Sequence, residues 1–262
     1  MFDKESFNIQ KAFKLATQNH VNKKFEEAKK LYNEILKIKP DHANALNNLG
    51  ELFRAEGETK KAQICYEKAI KANPILASSY NNLGLVYKSN KDNIKAIDLF
   101  IKSIEIDPNF ANPNYNLGII YKELGDYKKA ESFYQKVIKI NPNHADTYNN
   151  LAIINEELGE IQAAKENYSK ALKVNPNHIN SLWNSHTLAF DIDEALLILK
   201  KINQIDKQNI KSKIMISALE GYKGNFELYN TLQKSVNFNH PYMRAIKWIF
   251  SLPKLPKFFF NR

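Results

Sequence analysis

The chain has 262 residues, of which 44% are apolar and 25% are charged, a composition typical of a folded protein. Its net charge of +10 would suit a nucleic-acid binder, but lysines and acids alternate along the chain, so we expect a solvated surface and no nucleic-acid partner. The single cysteine excludes an internal disulfide. No stretch is apolar enough to span a membrane and the first residues lack the order of a secretory signal, so we expect a cytoplasmic protein.

In chain order, a lead-in over residues 1–8 precedes a pattern that repeats every 34 residues. Repetition at a fixed period predicts a stacked array in which each unit is one small structural element. We place five regular units at 9–42, 43–76, 77–110, 111–144 and 145–178. The recurring residues are Leu49-Gly50, Leu83-Gly84 and Leu117-Gly118; Ala62, Ala96, Ala130 and Ala164; Tyr66, Phe100, Tyr134 and Tyr168; and Pro40, Pro74, Pro108, Pro142 and Pro176.

Each unit is predicted to be a pair of helices. In the third unit, Tyr80, Leu83 and Val86 share one helical face, and a turn follows at residues 91–93. The second helix buries a face that carries Ala96, Phe100 and Ser103, and it ends before Pro108. Because Gly84 and Ala96 are small, the two helices can pack closely around the ring of Phe100.

Two degenerate units are predicted over residues 179–243. The sixth begins at Ile179 and keeps Ala195, Leu199 and Ile202, but it is about three residues short and has Lys207 in the place of proline. The seventh spans 210–243. Units near the end of an array are often irregular.

Residues 244–262 are predicted to form a capping helix followed by a basic, aromatic tail. Two alternatives remain open for this tail. It could contact an anionic membrane surface, because it holds several cations and no acid. Its three phenylalanines, residues 258–260, could instead dock on a further domain.

The recurring pattern resembles the tetratricopeptide repeat. It consists of an aromatic residue, Leu-Gly, a tyrosine, an alanine, a second aromatic residue and proline. The resemblance implies an all-α fold, an α-solenoid in which helical hairpins stack as a right-handed superhelix. It also implies a scaffold for protein–protein interaction, whose concave groove is lined by the first helix of each unit. The stretch from His240 to Asn261 resembles the junction between such repeats and methyltransferase domains. The alternative function is therefore substrate recruitment for a larger methyltransferase or glycosyltransferase.

An asparagine stands immediately before the leucine of successive units, at intervals of 34 residues. These residues are Asn48, Asn82, Asn116, Asn150 and Asn184. Stacking would align them as a ladder of carboxamides, which both donate and accept hydrogen bonds. The ladder resembles that of the O-GlcNAc transferase repeats, which binds peptide main chain. We expect replacement of Asn82 and Asn116 by alanine to leave the fold intact and to weaken a ligand, although a purely structural role for these asparagines remains open.

Further groove positions follow from the family's geometry, and they suggest a protein or peptide ligand with apolar anchors and some acidic character. The positions just before the ladder are Asn47, Asn81, Tyr115 and Asn149; three residues beyond it lie Glu51, Leu85, Ile119 and Ile153; and still further on come Arg54, Lys88, Lys122 and Glu156. The family's carboxylate clamp for chaperone tails is not expected, because none of its first positions is basic here. These are Asn44, Ser78, Asn112 and Asp146.

The sequence offers no catalytic arrangement, and we expect neither enzymatic activity nor a metal or cofactor. His42, His144 and His178 lie in turns at least one unit apart, too far from each other to share an ion. His186 is expected on a helix, packed at the small-residue position. The carboxylates Glu156, Glu157 and Glu160 are interpreted as solvated helix charge. Self-association through the ends of the solenoid is a further possibility.

Overall fold

The computed structural model describes residues 4–224, and every regular element in that range is a helix. The chain divides into two compact units at the boundary between Pro142 and Asn143. In each unit, consecutive helices pair as hairpins. The all-α architecture of helical hairpins predicted from the sequence is therefore confirmed.

The first unit contains four hairpins. Their helices are α1 (Lys4–Val21), α2 (Phe25–Ile38), α3 (Ala43–Ala55), α4 (Thr59–Ala72), α5 (Ala77–Ser89), α6 (Asn93–Ile106), α7 (Ala111–Glu123) and α8 (Tyr127–Ile140). Helix α1 begins at Lys4, inside the segment predicted as a lead-in. The turn between the helices of a hairpin needs a left-handed residue, which is Gly57 (φ 79°) in the second hairpin and Gly125 (φ 75°) in the fourth. In the third hairpin Lys91 takes this conformation, at φ 64°.

The close approach predicted between paired helices is present in the third hairpin. A Cβ atom placed on Gly84 would lie 2.7 Å from Cε1 of Phe100, closer than packed carbon atoms can come. Ala96, Phe100 and Ser103 are all fully buried, as the helical pattern predicts. The Ser103 hydroxyl donates to the carbonyl oxygen of Ala77 at 2.8 Å, which joins the end of α6 to the start of α5.

Side chains in the turns fix where several helices begin. Nδ1 of His42 accepts from the backbone N–H of Ala45 at 3.1 Å and caps α3. Asp92 caps α6 in the same way, through the N–H of Lys95 at 3.2 Å. Each cap satisfies a backbone donor that the first turn of a helix leaves without a partner.

The second unit contains α9 (Ala145–Glu157), α10 (Ile161–Val174), α11 (Ile179–Ser185), a 3-10 turn (His186–Leu188), α12 (Ile192–Ile205) and α13 (Ile210–Tyr222). Helices α9 and α10 repeat the hairpin of the first unit. Ala195, Leu199 and Ile202 are buried, at the core positions predicted for the sixth hairpin. None of the helices between residues 4 and 224 is both long and apolar enough to cross a bilayer.

The sixth hairpin differs from the prediction at His186. This residue was expected on a helix, but α11 ends at Ser185 and His186 opens the 3-10 turn. Its buried ring hydrogen bonds through Nδ1 to the carbonyl oxygen of Trp183, and burial lowers the pKa of the imidazole. The three residues missing from this unit are thus removed at the end of its first helix. The rest of the seventh unit and the predicted capping helix and tail at 244–262 lie outside the described residues.

Candidate ligand-binding face

The first helices of neighbouring hairpins touch one another. In the first unit α3 contacts α5 and α5 contacts α7, and in the second unit α9 contacts α11. We call these two surfaces the first-helix faces of the first and second units. Every predicted groove residue lies on one of the helices that form them.

The predicted ladder asparagines are bonded to the asparagines that precede the ladder in the neighbouring hairpin. The Asn82 side-chain amide donates to Oδ1 of Asn47 at 3.1 Å, and that of Asn116 donates to Oδ1 of Asn81 at 3.0 Å. In the second unit Asn184 donates to Oδ1 of Asn149 at 3.2 Å. The bonds join residues 35 positions apart in the sequence. Two rows that we had predicted as ligand contacts thus hold successive first helices together.

Additional bonds strengthen the ladder in the first unit. The second amide hydrogen of Asn82 is donated to Oε1 of Glu51 at 2.8 Å, and Ser79 donates to Oδ1 of Asn47 at 3.1 Å. Asn48 donates instead to the Tyr32 hydroxyl, at 3.1 Å. Because a side-chain amide has two hydrogens, Asn82 has no further donor for a ligand in this arrangement.

Burial separates the predicted residues into a floor and an accessible surface. The floor residues are less than one-tenth exposed: Asn47, Asn81, Asn82, Asn116, Asn149 and Asn150. Asn48 in the first unit and Asn184 in the second are half-buried. Leu85, Ile119 and Tyr115 in the first unit and Ile153 in the second are also half-buried, so each presents part of its side chain to solvent.

A row of cations follows the apolar residues of the first unit. Arg54 is exposed, and Nζ of Lys88 lies 3.3 Å from Oε1 of Glu123 in the next hairpin. Burial lowers the pKa of the Lys122 ammonium; Glu123 acts against this and Lys88 adds to it. Two of the three cations are therefore electrostatically coupled to each other and to one acid.

The second unit carries an acid at the corresponding position. Glu156 was interpreted as a solvated charge, but it is half-buried and its Oε1 atom is fully covered, with no hydrogen-bond partner. Glu157 and Glu160 are exposed, in line with the prediction. The repeat interval already places Glu156 among the groove positions, but nothing in the sequence shows that one of its oxygens is covered.

No group of three or more histidine, cysteine or acidic side chains within residues 4–224 could hold a metal ion. Cys65 is buried against the first-unit core, and burial raises the pKa of its thiol. His42, His144 and His178 each use Nδ1 to accept from a backbone N–H at the start of a helix. These residues have structural roles in the helix ends and the core.

Hairpins that share an alanine, an aromatic residue and a glycine at the helix contact define an all-α helical-repeat protein. A family model of the tetratricopeptide repeat matches residues 8–74, 75–143 and 109–177. Because these matches cover more than half of the chain, the protein belongs to the tetratricopeptide repeat family. No curated protein matches the sequence.

Several solved structures share the fold. PilF of Pseudomonas aeruginosa is 18% identical, with a TM-score of 0.71 over 80% of this chain and 96% of that one. YrrB, described as a tetratricopeptide repeat protein with an unusual peptide-binding site, is 20% identical, with a TM-score of 0.53 over 70% of this chain and 98% of YrrB. A chain of the Cut9–Hcn1 hetero-tetramer is 16% identical, with a TM-score of 0.70 over 80% of this chain and 42% of its own. At these identities the likeness concerns the fold, a general scaffold for protein interaction.

Proposed function

We propose that the first-helix face of the first unit binds an extended segment of another protein, and that the chain acts as a non-catalytic scaffold. The observation that carries the proposal is a set of partly exposed apolar side chains, here called the apolar strip: Leu85 and Ile119, which lie along their helices between the asparagines and the cations, and Tyr115, which precedes the ladder. Apolar anchors beside oriented polar groups are typical of protein-binding sites.

In this proposal the asparagine ladder supports the site rather than contacting the ligand first. A hydrogen bond donated by Asn82 to a peptide carbonyl would require it to release Asn47 or Glu51, both of which already accept its amide hydrogens. A rigid floor also lowers the ordering cost of binding, since the helices do not rearrange. We therefore propose that the apolar strip supplies most of the contact area.

The row of cations would select among segments of similar apolar content. Arg54 is exposed, whereas Lys88 and Lys122 are partly buried on neighbouring helices. An acidic side chain of the ligand would add negative charge beside these cations, where Glu123 already pairs with Lys88. The described peptide-binding site of YrrB is consistent with peptide binding by this fold.

A positional-scanning library of acetylated, amidated 12-residue peptides tests the proposal. We expect the wild-type protein to select peptides with apolar residues, and the double variant Leu85→Ser/Ile119→Ser to lose roughly tenfold or more in affinity, because each substitution removes buried apolar area.

The matched control for this experiment is Ile94→Ser/Ile101→Ser, which changes two exposed isoleucines on the second helix of the third hairpin. This variant should bind like the wild type. Equal losses in the two double variants, or no binding by the wild type, would refute a site on the first-helix face.

A further inference from the structure

Glu156 reverses the charge of a row that is otherwise basic. It stands in α9 at the position that Arg54, Lys88 and Lys122 take in α3, α5 and α7, at the same interval of 34 residues. The first-helix faces of the two units therefore present opposite charges at equivalent places. Since partners are selected by complementary charge, the two faces should prefer different side chains.

No cation among residues 4–224 forms an ion pair with Glu156. Its covered Oε1 atom accepts no hydrogen bond. Burial raises the pKa of its carboxyl, whereas the neighbouring Tyr168 hydroxyl acts in the opposite direction. A carboxylate that has lost part of its hydration and gained no cationic partner is unfavourable, and a cation brought by a ligand would relieve this cost.

The Tyr168 hydroxyl lies beside the Glu156 carboxyl. The tyrosine side chain is only 1% exposed, and its hydroxyl makes no hydrogen bond within the described structure. Oε1 of Glu156 is also fully covered, which leaves only the other oxygen of this carboxyl for a ligand. Asn184, half-buried on α11, also acts on the Tyr168 hydroxyl.

We propose that the first-helix face of the second unit binds a lysine or arginine side chain of the partner through Glu156. The inference rests on the proposed function, since the basic side chain belongs to the same class of extended protein segment. A metal ion is a poorer fit, because Ca²⁺ and Mg²⁺ need about six oxygen ligands and no group of three acidic, histidine or cysteine side chains gathers here within residues 4–224. The covered Oε1 leaves the exposed part of the carboxyl to meet the ligand.

The same positional-scanning library tests this inference. We expect the wild type to prefer lysine or arginine at one peptide position, and Glu156→Gln to lower the affinity of the best basic peptide roughly tenfold, because a charge-assisted hydrogen bond is lost. Glutamine keeps the shape of glutamate, and thermal melting of the variant verifies folding. The net charge of +10 disfavours non-specific binding of cationic peptides. A preference for lysine or arginine would therefore indicate a specific contact.

The matched control is Glu166→Gln, which removes the same charge from an exposed position on the second helix of the same hairpin. It should change the affinity of the basic peptide less than about twofold. Equal losses of affinity in Glu156→Gln and Glu166→Gln would show that only the overall charge of the protein matters, and this result would overturn the inference.

Two other outcomes separate this inference from the proposed function. Selection of apolar peptides that is lost in Leu85→Ser/Ile119→Ser, without any preference for lysine or arginine, would overturn the role of Glu156 alone. Failure of the wild type to bind any peptide of the library would overturn both.

Discussion

The third and sixth hairpins show how one side chain sets the length of a helix. In the third hairpin Gly84 lies against Phe100, and α5 continues for 13 residues. In the sixth, His186 takes the position of Gly84, and α11 ends after 7 residues. We infer that a helix pair this close cannot accommodate an imidazole at the contact, so the chain leaves the α-helix there. The small residue is therefore a condition for the full-length hairpin.

The fifth hairpin lies between these two cases. Ala152 replaces glycine at the contact and is fully buried against the cluster that contains Tyr168, and α9 keeps its 13 residues. One methyl group at the contact is thus compatible with a full-length first helix. The contrast between Ala152 and His186 indicates that the helix contact accepts a methyl group but not an imidazole ring.

The largest expected effect comes from breaking the third hairpin at its contact. Gly84→Leu would place a branched side chain where even a Cβ meets Phe100 at 2.7 Å. We expect a loss of about 1–3 kcal/mol in stability, because overpacking a core forces side chains and backbone into strained conformations. The measurement is the midpoint of urea unfolding together with hydrogen exchange of the α5 and α6 amides.

The control for this variant is Asp98→Leu, which adds the same side chain at an exposed position of α6. It should unfold within about 0.5 kcal/mol of the wild type. An unchanged midpoint for Gly84→Leu would show that the hairpin can separate, and the explanation for the short α11 would then fail.

A smaller effect is expected from cutting the asparagine ladder. Asn82→Ala removes bonds to Asn47 and Glu51, and we expect a loss of about 1–2 kcal/mol because buried acceptors lose a donor. Asn184→Ala removes one bond to Asn149 from a half-buried position in the irregular hairpin, so its cost should be about 0.5–1 kcal/mol. Urea unfolding of both variants measures the difference.

Equal and negligible losses in both variants would contradict the structural role of the ladder. The expectation from sequence that these asparagines could be replaced without a stability cost would then stand. A loss in Asn82→Ala alone would show that the ladder is important in the regular hairpins and dispensable in the sixth.

The sequence predicts the hairpins well because the contact between Gly84 and Phe100 lies within one repeat and recurs with its period. It predicts the ladder less well. The row that contains Asn82 and Asn116 is visible in the sequence, but the acceptors of these two residues lie 35 positions earlier, and this pairing depends on how successive hairpins stack. An asparagine at both positions of consecutive repeats is a signal that could have revealed it.

The sequence also could not show where α11 ends or that one carboxyl oxygen of Glu156 is covered. A shortened repeat indicates missing residues without saying which helix loses them. Whether a glutamate oxygen is covered depends on side chains from several helices, here including Tyr168 of α10. Both features arise from packing between elements rather than from the pattern within one.

The smallest expected effect concerns the aromatic position of the second helix, where the hairpins differ in polarity. Tyr66 and Tyr134 bury hydroxyls that have no partner in the described structure, whereas Phe100 and Leu199 are fully apolar there. Burial raises the pKa of Tyr66 to about 12, as expected for a hydroxyl whose charged form would be poorly solvated.

Tyr134→Phe should therefore leave stability within about 0.5 kcal/mol of the wild type or raise it, since it removes an unsatisfied polar group and keeps the ring. Tyr32→Phe is the matched control, because the Tyr32 hydroxyl accepts from Asn48 at 3.1 Å; we expect it to lose about 0.5–1.5 kcal/mol. Urea unfolding of the two variants measures the contrast. A marked loss in Tyr134→Phe would mean that its hydroxyl has a partner in solution, and the regular hairpins would then depend on a polar contact that the sixth, with Leu199, does without.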